Sequence, residues 1–214
     1  MSTASAEAKQ SSVEPAEAGV DSVTAESRTI GAGPAFGILM AVLGAVGLFF
    51  SGLIMQDKVT LLSDPGYIPA CTVNAIVSCT DVMASPQASA FGFANPYIGL
   101  VGFALVTFFG VSLAAGVRFP EWMWAGELLG LIFAVGFVHW LAYEAVFEIG
   151  ALCIYCMAVW TVTLPLFLMT LVRFTRGRAH NRGKATGHGV AQPVIVLIAW
   201  YLGFVVIIGS HFFF

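Results

Sequence analysis

Long stretches without a single Asp, Glu, Lys or Arg constrain this chain more than any other feature. Arg28 to Asp57 encloses 28 such residues, Asp81 to Arg118 encloses 36, Glu127 to Glu144 encloses 16 and Glu148 to Arg173 encloses 24. After Lys184 these four residue types do not occur. A bilayer core of about 30 Å is crossed by about 20 apolar residues of helix. The windows therefore predict five transmembrane helices, over about 34–55, 96–116, 122–147, 151–172 and 192–212. Only 10% of the residues are charged and 58% are hydrophobic, against roughly 25% charged in a soluble domain. Backbone groups in lipid must pair within their own segment, so the fold class is an all-α membrane protein.

Residues 1–30 differ in kind. They are rich in Ala, Ser and Glu and lack aromatics, which predicts a disordered tail. No basic stretch runs into a short apolar core there, so the segment does not read as a cleavable signal peptide. Residues 31–214 then form one transmembrane domain. A net charge of −3 identifies no partner, and nothing in the sequence points to nucleic acid.

Charge also predicts orientation. With a cytoplasmic N-terminus, the inner segments hold Lys9, Arg28, Arg118, Arg173, Arg176, Arg178, Arg182 and Lys184, and the outer segments hold only Lys58. Basic residues favour the cytoplasmic side. The outer side then receives the 56–95 loop and the tight 148–151 connection. All four cysteines fall there: Cys71 and Cys79 in the loop, Cys153 and Cys156 where the fourth span begins. That is the side on which disulfides persist.

Cys153-Ile154-Tyr155-Cys156 is a C-x-x-C unit on the first turn of a helix. Residues i and i+3 are neighbours there, and a helix N-terminus stabilises a thiolate. Redox chemistry is favoured over two plainer readings, a pair of buried thiols and a zinc half-site. A structural zinc takes four ligands, and His139, His180, His188 and His211 are too scattered to supply the rest. On a straight helix Cys71 and Cys79 would stand about 12 Å apart, beyond the reach of a disulfide. Either the loop bends between them or the pair is not always bonded to itself. Thr72 to Ala84 is expected as a short helix carrying Cys79. Two cysteine pairs on one side suit a relay, in which thiolate attack through a mixed disulfide passes electrons from one pair to the other. Such a relay needs an acceptor, and with no dinucleotide fingerprint in the chain a lipid-soluble quinone is the natural one.

Cys71-x7-Cys79, Ser85 six residues later, Asn95 with Gly99 opening the second span and Cys153-x-x-Cys156 at the fourth together resemble the vitamin K epoxide reductase family, over about residues 35–172. In the other quinone-coupled disulfide-forming family, the disulfide bond protein B type, the order of the pairs is reversed. The resemblance implies a four-helix bundle around a quinone, with a fifth helix outside it. It implies that Cys153 and Cys156 are the active-site pair, Cys156 being nearest the quinone. Cys153 would exchange with Cys79, and Cys71 would face an external thiol partner. Asn95 would donate to a quinone oxygen and Ser85 would line the pocket. Asn95 could equally cap the helix that Pro96 begins, and Ser85 before Pro86 could be a turn or cap residue.

Trp160 departs from the pattern, standing where vertebrate members have a tyrosine that can bond the quinone. It is expected to contact a quinone of menaquinone, ubiquinone or phylloquinone type. Some bacterial members continue into a fused thioredoxin-like domain. Here the chain stops at Phe214, so the expected partner is a separate thioredoxin-fold protein, soluble or anchored, of the disulfide bond protein A kind (DsbA-like). The expected setting is the inner (plasma) membrane. The competing functions are vitamin K epoxide or quinone reduction in a cofactor cycle, and a non-catalytic membrane protein with two structural disulfides.

His139 and Glu144 lie in the outer half of the third span. Glu144 is expected to snorkel or pair at the interface, and His139 reads equally as structural or as part of a proton route. Trp122 and Trp124 read as an interfacial aromatic belt. Phe91-Gly92-Phe93 reads as an interface anchor that could also cover the pocket.

Overall fold

The computed structural model describes residues 29–64, 66–183 and 191–213. Most of the expected 1–30 tail, with Lys9 and Arg28, lies outside the described residues, as do Lys184 and His188. Thr29–Ile30 (β1) are described, and they form a short strand paired antiparallel with Phe119–Pro120 (β2).

Five helices are long and apolar enough to cross a membrane. They are α1 (Pro34–Ser63), α3 (Pro96–Ala114), α4 (Glu121–Tyr143), α5 (Ile154–Asn181) and α6 (Ala191–Phe213); a short helix, α2 (Cys79–Ala84), precedes α3. A π-helical turn, Glu144–Ile149, prolongs α4. Gly150 follows it with φ 69°, a left-handed conformation that suits glycine, and the chain turns sharply back into α5. The protein is an all-α, multi-pass membrane protein.

Two boundaries differ from the sequence reading in ways that matter. The first span was expected to end near residue 55, before Asp57 and Lys58, yet α1 continues to Ser63. Both charges find partners near the helix: Asp57 Oδ1 accepts from Tyr67 OH at 2.9 Å and Lys58 Nζ donates to Met83 O at 2.6 Å. The helix expected over Thr72–Ala84 is confined to Cys79–Ala84. Asn74 Oδ1 accepts from the amides of Ile76 and Val77, and this side-chain turn competes with helix.

α1 packs along α3 and also meets α5, while α5 packs along α4. Small residues let the first pair approach closely. A Cβ on Gly37 would stand 2.3 Å from Ala114 N, and one on Gly110 2.5 Å from Ala41 N. At the end remote from the cysteines, α3 and α4 meet through Phe109 and Trp124, whose rings stand 5.1 Å apart. Trp124 is fully buried and donates to Ile30 O at 3.0 Å. It is therefore a core residue and not part of an aromatic belt. Trp122, 71% exposed, keeps that expectation. Arg173 donates to Gly31 O and Arg178 Nε lies 3.5 Å from Glu121 Oε2, tying α5 to the start of α1 and α4 at this end.

α6 stands outside the four-helix arrangement, against α5 and α4. Tyr201 OH donates to Thr161 O at 2.6 Å. His139 packs against Trp200 and Phe204 at centroid distances of 4.6 and 5.4 Å.

Candidate active site

The redox end is assembled by a β-bridge. Val77 pairs in parallel with Leu152. Leu152 N donates to Ile76 O at 2.7 Å and Ser78 N donates to Leu152 O at 3.0 Å. The bridge brings the start of α2 beside the start of α5. Ser78 caps α2, its Oγ accepting from Asp81 N, so the helix begins at Cys79. Between the bridge and Pro69 the chain folds back on itself, with Thr72 N donating to Pro69 O and Val73 N to Val77 O. That turn brings Cys71 and Cys79 to a Cα separation of 5.7 Å, and the two are disulfide-bonded. Of the two alternatives left open by the spacing, the loop bends.

Cys153 and Cys156 are free thiols. Only one of the two bridges required by a purely structural disulfide framework is therefore formed. Cys153 is the N-cap of α5, and its Sγ accepts from Cys156 N at 3.5 Å. Hydrogen bonds from the Cys156 thiol and from the Cys156 and Tyr155 amides hold the Cys153 thiol below the ordinary thiol range, against burial and the Asp57 carboxylate. The two amide bonds, each a smaller part of this lowering than the Cys156 thiol, are what a helix N-terminus supplies to a thiol.

Cys79 Sγ lies 3.1 Å from Cys153 Sγ. The Cys71, Cys79 and Cys153 sulfurs all fall within 4.8 Å of one another. Two of them share a disulfide, so in this state the trio offers a single thiolate. Cys71, Cys79 and Cys153 are all buried, packed with Ile54 and Met83.

Below the sulfurs lies a cavity of about 840 Å³, walled mostly by α3, α4 and α5. Cys153, Cys156, Ser85, Asn95 and Trp160 all line it. Along α4 the lining runs from Glu144 to Trp122, about 33 Å at 1.5 Å per residue. The walls are overwhelmingly apolar, with few polar groups, the character expected of a site for an apolar ligand bearing a polar head.

Asn95 does not cap α3 with its side chain. Its amide organises the loop instead: Nδ2 donates to Gln87 O at 2.7 Å and Oδ1 accepts from Ala90 N at 3.0 Å. One Nδ2–H is used there, and an amide has two. Ser85 ends α2 as its C-cap, and its Oγ donates to Val82 O at 2.8 Å. Trp160 is buried and faces Phe204 at 6.2 Å.

Glu144 pairs as expected: Gln87 Nε2 donates to its Oε2 at 3.1 Å, joining the loop to α4 at the cavity rim. Phe91 packs on Phe133 and Phe137 of α4 at 6.4 and 5.5 Å, so the Phe91-Gly92-Phe93 turn reaches α4 as well as the interface. His139 is not among the cavity-lining residues; its Nδ1 lies 2.6 Å from Val135 O and its ring faces α6. Sequence reasoning passed over three cavity residues. Lys58 was counted as a charge of the outer loop, Glu127 only marked the edge of an uncharged window, and Gln87 was not singled out. A charged residue closing an apolar window reads as a surface group, and only tertiary packing turns it inward.

A sequence model of the vitamin K epoxide reductase family matches residues 38–171. No curated protein matches the chain.

Proposed function

The chain belongs to the vitamin K epoxide reductase family, an oxidoreductase family linked to quinones, and from that premise we propose that it is a thiol:quinone oxidoreductase that reoxidises an extracytoplasmic thioredoxin-fold partner. The observation that carries this reading is the 3.1 Å contact between Cys79 and Cys153, directly above a cavity that Cys153 and Cys156 line.

A reduced partner passes its electrons to Cys71–Cys79, leaving two thiols. Cys79 thiolate attacks Cys153 of a Cys153–Cys156 disulfide; a Cys79–Cys153 bond forms and Cys156 leaves as thiolate. Cys71 thiolate then attacks Cys79; the Cys71–Cys79 bond forms and Cys153 leaves. A leaving thiol of low pKa departs faster, so the hydrogen bonds on Cys153 favour inward flow. The state described here, outer pair bonded and inner pair reduced, is the one that follows this step. A quinone in the cavity supplies the acceptor for two electrons and two protons. Asn95, with its second amide N–H, would hold the quinone head beside Cys156, with Ser85 lining the loop side of the pocket and Trp160 against the ring.

The arginines on and near α5 gather at the end opposite the cysteines. That distribution supports a plasma-membrane protein with a cytoplasmic N-terminus and outward cysteines. The same electron flow would serve a vitamin K cofactor cycle, and no residue of the cavity favours that purpose over partner oxidation.

The test is a purified-protein assay. A reduced thioredoxin-fold dithiol protein is supplied with ubiquinone, menaquinone or phylloquinone analogues, and quinone absorbance is followed. Turnover by wild type and its loss in each of four Cys→Ala variants supports the proposal. Turnover independent of the cysteines, or none with any quinone, overturns it.

A further inference from the structure

Lys58 occupies a costly position. It lies on the part of α1 that continues past the expected span, and it is 9% exposed. An ammonium has three N–H donors and is expensive to bury without partners. Its hydrogen bond is to Met83 O at 2.6 Å, and among the described residues no carboxylate lies within ion-pair distance of it. Asp57, the adjacent acid, is engaged by Tyr67, and consecutive helical residues do not face each other. Lys58 also borders the cavity alongside Cys153 and Cys156.

Its partner explains the position. Met83 is the penultimate residue of α2, and Cys79 is the first. A six-residue helix does not hold itself together in isolation, and its last carbonyls have no intrahelical donors. Ser85 satisfies Val82 O from within the same segment, so that bond travels with α2. The Lys58 bond is different, because it anchors an α2 carbonyl to a transmembrane helix. A cation at a helix C-terminus also complements the dipole. At its other end α2 follows directly on the Val77–Leu152 bridge. The helix is thus pinned at both ends, with Cys79 held against Cys153.

We propose that Lys58 is a positioning residue of the relay: by gripping the C-terminal end of α2 it stations Cys79 for exchange with Cys153. Lys58 takes part in no bond-making. It sets where Cys79 stands while the Cys79–Cys153 bond forms and the Cys153–Cys156 bond breaks. The inference rests on the relay reading above, and its test separates the two.

The full chain is prepared with Cys71→Ala, so that Cys79 is a thiol and its attack on an oxidised Cys153–Cys156 pair can be followed by acid quench and peptide mapping. Separately, protein with a reduced inner pair is mixed with a short-chain ubiquinone and quinone absorbance is recorded. Lys58→Met is expected to slow formation of the Cys79–Cys153 bond about tenfold or more, in line with losing a hydrogen bond from a charged group. Because Lys58 also borders the cavity, the quinone step is expected to slow less than the exchange step, and the ratio of exchange to quinone reduction is expected to fall. Lys58→Arg, which can still donate to Met83 O, is expected to restore exchange. Should Lys58→Met not fold, Lys58→Leu, which also lacks a donor for Met83 O, carries the same comparison.

Unchanged exchange in the folded variants overturns the proposal, as does slowing of the quinone step alone. Equal slowing of both steps, unrescued by arginine, also overturns it, since a merely structural lysine would behave so. Failure of the Cys79–Cys153 bond to form even with Lys58 intact overturns the relay reading itself.

Discussion

Val77 and Leu152 form a parallel β-bridge two residues before Cys79 and one before Cys153. Through it a loop between α1 and α3 is registered against the connection between α4 and α5. The 3.1 Å sulfur contact follows from that register.

The bridge makes a direct prediction about trapping. With Cys71 and Cys156 both changed to alanine, Cys79 and Cys153 are left facing each other without competing partners. They are expected to accumulate as an internal disulfide on mild oxidation, seen as a shift on a non-reducing gel and by peptide mapping. Adding Leu152→Pro removes the donor to Ile76 O, and the yield is expected to fall. Equal trapping with and without the proline would mean that the bridge does not set the register.

Thiol titration tests the electrostatics. The Cys153 thiol is held below the ordinary range first by the Cys156 thiol and then by backbone amides. A depressed folded-state value means that the folded protein releases this proton more readily than the unfolded chain. The resulting stabilisation is present above the ordinary thiol pKa of about 8.5. It is lost as pH falls through the lower, folded value. In protein with the outer pair bonded, thiolate absorbance near 240 nm is expected to rise at lower pH than for a free cysteine. Cys156→Ala is expected to move the midpoint back up; an unmoved midpoint would leave the amides of the α5 N-terminus as the whole cause.

Much of this site was legible because two sequence signals are independent of packing. Long uncharged windows locate helices, and the C-x-x-C unit at the start of one of them lands on an N-terminus. The charge distribution gathered Cys71, Cys79, Cys153 and Cys156 at one end without reference to their chemistry. What could not be read depends on contacts distant in sequence. Asp57 looks like a helix end because an unpaired acid would be one; Tyr67 OH makes it tolerable within α1. Trp124 differs from Trp122 by about 200° of helical rotation, which sends one indole into the core and the other outward. The division of labour at Asn95 was hidden for the same reason. Capping is decided by local dihedrals, whereas its bonds to Gln87 and Ala90 depend on the course of the whole 85–95 loop.

Asn95 therefore has a structural cost separable from any contact with a quinone. Asn95→Ala leaves Ala90 N and Gln87 O without their side-chain partners. Both bonds are only part-buried, so losing each costs about 0.5–1.5 kcal/mol, and a measurable fall in thermal midpoint in detergent is expected. Asn95→Asp keeps the acceptor for Ala90 N and sets a carboxylate against Gln87 O, so it is expected to be no better tolerated. If Asn95 also holds the quinone, KM for quinone rises beyond what loop loosening causes. Ser85→Ala is the control for the pocket, since its hydroxyl bonds only Val82 O and its loss is expected to be mild. A wild-type midpoint for Asn95→Ala would show that the loop does not rely on this amide.

Close packing of α1 on α3 sets the back wall of the bundle, and it admits a severe test. At Gly37 a Cβ would sit 2.3 Å from Ala114 N and 2.8 Å from Gly110 O, both backbone atoms, so no side-chain rotation relieves the clash. Gly37→Leu is expected to force the helices apart and to abolish recovery of folded protein from the membrane. Gly126→Leu lies in an equally apolar helix, but a Cβ there meets nothing within 4 Å. Because Gly126 borders the cavity, that variant is expected to fold while filling part of the pocket, so KM for quinone rises with the thermal midpoint nearly unchanged. Comparing the two by size-exclusion chromatography and quinone kinetics separates the glycine that permits packing from the one that leaves room. Equal recovery of both proteins would show that α1 and α3 do not need the close approach at Gly37.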